Sequence, residues 1–149
     1  MINIEEIKNE WKKDCEIDKN NLDEESLRLP SLHAKYLMYL DQAKIDLRQI
    51  KIWSEKQLYT RWRWIEGKLT KEEMDVLNWP YDPFAGHAIR TKEQKDKFYR
   101  ADLVYLECQD RLSMTEDNLM IIKEMLTNIT WRHQTIKNAI EWRKFISGQ

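Results

Sequence analysis

Helix breakers are missing from most of this chain. No Gly or Pro occurs between Ser31 and Glu66, and none between Thr91 and Ser147. The whole 149-residue sequence holds three of each. Tight turns and strand corners draw on Gly, Pro, Asn and Asp clusters. A chain with so few breakers has few places to reverse, and its many Glu, Lys, Leu and Ile residues favour helix. No alternating strand pattern and no internal repeat interrupts this reading. The sequence therefore predicts an all-α fold of two long helices plus a short N-terminal one, in a single domain, with assembly through packing between subunits.

Four regions follow from the breakers and the apolar spacing. Over residues 1–30, Asn3 and Glu6 stand at capping-box spacing, and Ile4, Ile7 and Trp11 share one helical stripe. A short helix is expected from Ile4 to Cys15, followed by a connector that ends at Pro30. Residues 31–67 read as a long helix from near Ser31. Its stripe is Tyr36, Leu40, Ala43, Leu47 and Ile50, and Gly67 is its stop. Residues 68–90 read as an excursion in which Thr70 and Glu73 cap a brief helix. Its Trp79, Tyr81 and Phe84 are expected to dock against something. Residues 91–149 begin with a Thr91–Gln94 capping box and read as a second very long helix, with a possible break at Leu112–Asp117. Helices of this length point to coiled-coil or inter-subunit packing.

Composition excludes several classes. The net charge is −1, so a nucleic-acid signal has to be local. Cys15 and Cys108 match no metal spacing and read as free thiols of a reducing compartment. No apolar run has the roughly 18 residues of a membrane span. The polar, acidic N-terminus does not resemble a signal peptide. His33, His87 and His133 lie far apart, and no Gly-rich phosphate loop or activated nucleophile is present. The expectation is a non-enzyme with no cofactor and no metal.

Charge is unevenly placed. Residues 51–71 carry Lys51, Lys56, Arg61, Arg63, Lys68 and Lys71 against only Glu55 and Glu66, a local excess of +4. Residues 72–120 carry a net −5, and residues 121–149 a net +3. The stretch Leu58–Lys68, "LYTRWRWIEGK", interleaves these cations with rings. At 100° per residue, Leu58, Trp62 and Ile65 form an inward stripe. Arg61, Trp64 and Lys68 form a second stripe, and Lys56, Tyr59 and Arg63 a third. Cations beside flat rings suit single-stranded nucleic acid, where bases stack for roughly 1–3 kcal/mol each and phosphates pair with Lys and Arg. The competing reading is that the tryptophans are core and the arginines form internal cation–π pairs. The candidate single-strand contacts are Lys56, Tyr59, Arg61, Arg63, Trp64 and Lys68. At the C-terminus, Ile129, His133, Ile136, Ile140, Trp142 and Phe145 make a helix surface that needs a partner, and self-association is the expected one.

Four blocks in order carry a resemblance to a known family. They are "KKDCEID" with the following Leu22, "HAKYLMYL", "LYTRWRWIEGK" and "RHQTIKNAIEWRKFISG". The chain resembles the UvsY family of recombination mediators of T-even-type phages, with Leu69 to Ala88 as a divergent excursion. The resemblance implies an all-helical, ring-like homo-oligomer acting in the cytoplasm of the infected host cell. It implies binding of single-stranded DNA, a weakened hold of the single-strand-binding protein, and help for a RecA-like recombinase to nucleate. The family's basic stretch is implicated in single-strand binding, and its matching position is Arg61. A second basic position corresponds to Tyr59, a departure, and Arg63 supplies a base where the family pattern has none. The family's C-terminal helix serves oligomerisation. The rival reading is a structural or scaffolding phage oligomer without DNA binding; a small enzyme and a general single-strand coat protein are further alternatives.

Overall fold

A computed structural model of the chain describes residues 1–148. The described residues form five helices: α1 (Ile4–Asp14), α2 (Leu22–Ile65), α3 (Lys71–Leu77), α4 (Lys92–Arg100) and α5 (Leu103–Ser147). The fold is all-α, as the missing breakers require. No helix among the described residues is long and apolar enough to cross a membrane. Length alone suggests one domain, but the residue packing forms two compact units. One unit comprises residues 1–47 and 115–149, the other residues 48–114.

In the first unit, α1, the first half of α2 and the second half of α5 share one core. Ile7 from α1 meets Leu32, Tyr36, Leu40 and Ala43 of α2 and Ile122, Met125, Leu126 and Ile129 of α5. The expected stripes of both long helices are therefore largely these inward faces. Asn3 caps α1 by accepting a hydrogen bond from the Glu6 N–H. The far end of α1 is held by arginines. Buried Arg132 donates to the carbonyls of Asp14 and Glu16, both at 2.6 Å. Arg28 donates to the same Asp14 carbonyl at 2.9 Å. Cationic donors at carbonyls left over by a helix end satisfy both hydrogen bonding and the helix dipole. Arg132 thus takes the inward position that the spacing gives to His133, and His133 is exposed.

The expected start of the first long helix near Ser31 is corrected. α2 begins at Leu22 and carries Pro30 inside it. Pro30 offers no N–H to the carbonyl one turn earlier, which normally ends a helix. Here the preceding turns are anchored from outside. Asp18 accepts bonds from Asn20 N and Asn21 Nδ2, and Leu22 and Leu32 on either side of the proline are buried. Tertiary burial has overridden local preference.

In the second unit, α2 ends at Gly67 (φ +70°), where Lys68 N–H reaches Arg63 O and Gly67 N–H reaches Trp64 O. This double closure needs a left-handed residue, which glycine supplies without steric cost. Capping boxes start α3 at Thr70 and α4 at Thr91. Trp64, Ile65, Leu69 and Met74 form the core, with Trp79, Phe84, Phe98 and Tyr99 against it. The aromatic excursion therefore docks. Asp82 braces it by accepting from Phe84 N and Gly86 N. The second long helix is not continuous from Thr91, and "LSMTED" does not break it. The break falls at Ala101–Asp102, where the Asp102 carboxylate accepts the Val104 N–H and restarts the helix as α5.

Candidate nucleic-acid interface

Geometry within residues 48–114 sorts the mixture of cations and rings into two populations. Arg61 and Trp64 belong to the interior. Trp64 is 5% exposed and donates its indole N–H to Pro80 O at 2.8 Å. Its ring lies 5.3 Å from that of Trp79. The Arg61 guanidinium carbon sits 4.0 Å from the Trp64 ring centroid and 4.7 Å from that of Trp79. Arg61 also makes a bidentate pair with Asp102, at 2.9 and 2.8 Å. The expectation that Trp64 rides an exposed stripe with Arg61 is corrected. The indole fills the space under the docked excursion, and the arginine lies against it as an internal cation–π pair.

The other population faces solvent. Lys56, Tyr59 and Lys68 are exposed, and Tyr59 retains 62% of its accessible surface. Trp62, expected inward, is only half-buried. Its ring stacks with Tyr59 at 6.0 Å and 22°, and Lys68 Nζ lies 4.4 Å from its centroid. Arg63 lies 6.0 Å from the Tyr59 centroid and bonds Glu73 at 3.3 Å. The Thr70 backbone N–H chiefly holds the Glu73 carboxyl below its ordinary value; burial pushes it up, and Arg63 adds to the lowering. A groove of about 430 Å³ beside Trp62 is lined by Glu66, Arg90, Lys92 and Lys95. Those three cations escape a charge count over residues 72–120, because the acids of that stretch mask them. A narrower window shows them, with five bases against two acids from Arg90 to Arg100.

The C-terminal residues also divide. Ile129 and Ile136 are buried within the chain's own fold, and Ile140 is half-buried. Trp142 and Phe145 are exposed and stack on each other at 5.6 Å. Cys15 is an exposed free thiol and Cys108 a buried one, whose pKa burial pushes up.

The family model for "Recombination, repair and ssDNA binding protein UvsY" matches residues 10–149. The chain belongs to the UvsY family. It is similar in fold to crystal structures of the bacteriophage T4 recombination mediator protein UvsY in two lattice types. One has a TM-score of 0.79 and 21% identity, with 99% of each chain covered. The other has a TM-score of 0.78 and 22% identity, covering 97% of this chain and 99% of the T4 chain. No curated protein sequence matches significantly. A recombination and single-stranded-DNA-binding role thus comes with UvsY membership, and the exposed surface at the end of α2 has the chemistry for it.

Proposed function

We propose that this chain is a recombination mediator. It binds single-stranded DNA as a ring-like homo-oligomer and promotes loading of a RecA-like recombinase onto DNA covered by single-strand-binding protein, in the cytoplasm of the infected host cell. The observation that carries the reading is the Tyr59–Trp62 ring pair flanked by Lys56, Arg63 and Lys68. Rings and cations in contact with each other offer base stacking and phosphate pairing at the same place. Arg61 and Trp64 act as positioning residues that hold this surface from beneath. Each subunit supplies few contacts, but a second contact on the same strand is effectively intramolecular, so weak sites sum around an assembly. Such sites also release one at a time, which suits a protein that has to hand its DNA on.

The test is fluorescence polarisation with single- and double-stranded oligonucleotides between about 50 and 200 mM salt. A loading assay on strands covered by single-strand-binding protein follows. Preference for single strands, a salt-dependent affinity and faster recombinase nucleation are expected. An oligomer that binds neither DNA form would make the protein a scaffolding assembly instead. Binding without loading would make it a coat protein.

A further inference from the structure

Trp62 borders a groove and keeps part of its surface open. Across the groove, the backbone of Arg90 and Thr91 is fixed, because both N–H groups donate to Gln94 Oε1, at 3.0 and 3.1 Å. Arg90 and Lys92 therefore project from a rigid cap. Both are exposed, and neither has an acidic partner among the described residues. Lys68 reaches over the same indole. Lys95 is partly spoken for, with Glu66 at 3.8 Å. Asp96, in the adjoining recess, is paired to Arg100 at 3.0 Å.

From this geometry we infer that the Trp62 groove is a nucleotide subsite for single-stranded DNA. The indole stacks one base, and Arg90, Lys92 and Lys68 take the flanking phosphates. This rests on the single-strand reading above and adds to it a cationic wall from the start of α4, with Arg90 just before the cap and Lys92 in the first turn. A groove of about 430 Å³ lies within the range of small-ligand sites. Stacking on Trp62 needs an unpaired base. An acidic protein segment would satisfy the cations but leave the ring without a flat partner. Glu66 has a role of its own. Its carboxylate occupies Lys95 and repels phosphate, holding the subsite weak enough to release its strand.

The experiment compares the full-length chain with Arg90→Ala/Lys92→Ala and Glu66→Gln, using a labelled oligothymidine over a salt series. The double variant should bind on the order of tenfold more weakly, with a log–log salt slope reduced by about 0.7 for each phosphate no longer neutralised. Glu66→Gln should bind several-fold more tightly with a steeper slope, an increase that a purely structural residue does not give. An oligonucleotide carrying 5-iododeoxyuridine should cross-link to Trp62. If the wild-type chain binds single strands but the double variant keeps its affinity and slope, the groove is overturned and the mediator reading stands. If the wild-type chain binds no single strands, both fall. Cross-linking suppressed when an acidic peptide is added before irradiation, but not when excess unlabelled oligothymidine is added, would reassign the groove to a protein partner.

Discussion

The Arg61 guanidinium and the Asp102 carboxylate meet side-on, through hydrogen bonds of 2.9 and 2.8 Å, on a bed of two tryptophans. Asp102 at the same time caps the first turn of α5. One ion pair thereby ties the last turns of α2 to the point where α4 ends and α5 begins. Both side chains are largely covered, at 14% and 8% exposed, so removing either leaves the other charge without its partner.

Arg61→Ala should therefore destabilise the fold by about 3 kcal/mol. Arg61→Lys should recover little, because an ammonium makes neither the paired bonds nor the flat stacking arrangement. Urea denaturation with an unchanged m-value checks this. A variant that keeps wild-type stability and is impaired only in DNA affinity would make Arg61 a direct phosphate ligand instead.

Acid should weaken the first unit through Asp14. Burial pushes this carboxyl up, but hydrogen bonds from Lys35 and Tyr36, with the Lys35 charge, outweigh it and hold the pKa below 3.8. A carboxylate depressed in the folded state binds fewer protons there than in the unfolded chain. Its contribution is full above about pH 4 and is lost as pH falls through the folded value. Asp14→Asn should cost about 2 kcal/mol at neutral pH and flatten the acid limb of stability. Melting curves between about pH 5 and pH 2 read both effects. An unchanged acid limb would mean that Asp14 has no part in acid sensitivity.

Arg132→Met keeps an apolar stem and removes both donors to the end of α1. It should cost about 3 kcal/mol, with α1 the first element to open. Proteolysis within the Glu16–Asn21 connector should speed up, and amide exchange in α1 should rise to the rate of local opening. Equal cleavage rates in variant and parent would show that α1 is held by its apolar face alone.

Subunit assembly is best tested at exposed positions. Ile136→Glu would bury a charge in the first unit and report on folding, since Ile136 is 2% exposed. Trp142→Glu with Phe145→Glu leaves that core alone. We expect this double variant to sediment as a smaller species with unchanged helix content, and to bind long strands more weakly because its sites are no longer linked. Sedimentation like the parent would move the subunit interface elsewhere.

Much of this fold was legible from spacing. The two breaker-free runs are helical, and Asn3, Thr70, Thr91 and Gly67 act at the ends where their chemistry put them. What local rules missed was settled by distant partners. Pro30 stays helical because Leu22 and Leu32 are buried around it. Asp102 breaks a run without Gly or Pro because it both caps a helix and receives Arg61. The site was half legible. The composition of "TRWRW" showed that rings and cations coincide, but which tryptophan faces outward depends on the excursion that covers Trp64. The cations opposite Trp62 come from a segment whose overall charge is negative, so only proximity in space reveals them.

The first unit is assembled from the two ends of the chain, whereas the second is one contiguous stretch. Its closing bonds, Arg132 to Asp14 and Glu16, span more than a hundred residues. During synthesis the second unit can settle as soon as residue 114 is free of the ribosome. The opening segment has to wait, with Ile7 and the inward face of α2 uncovered, until the C-terminal helix arrives. Long-range closure of this kind is slow and leaves apolar surface exposed to other chains. The interval before release is therefore when neighbouring nascent copies would most readily trade the second half of α5, and a truncation after residue 114 should leave a folded middle with a sticky beginning.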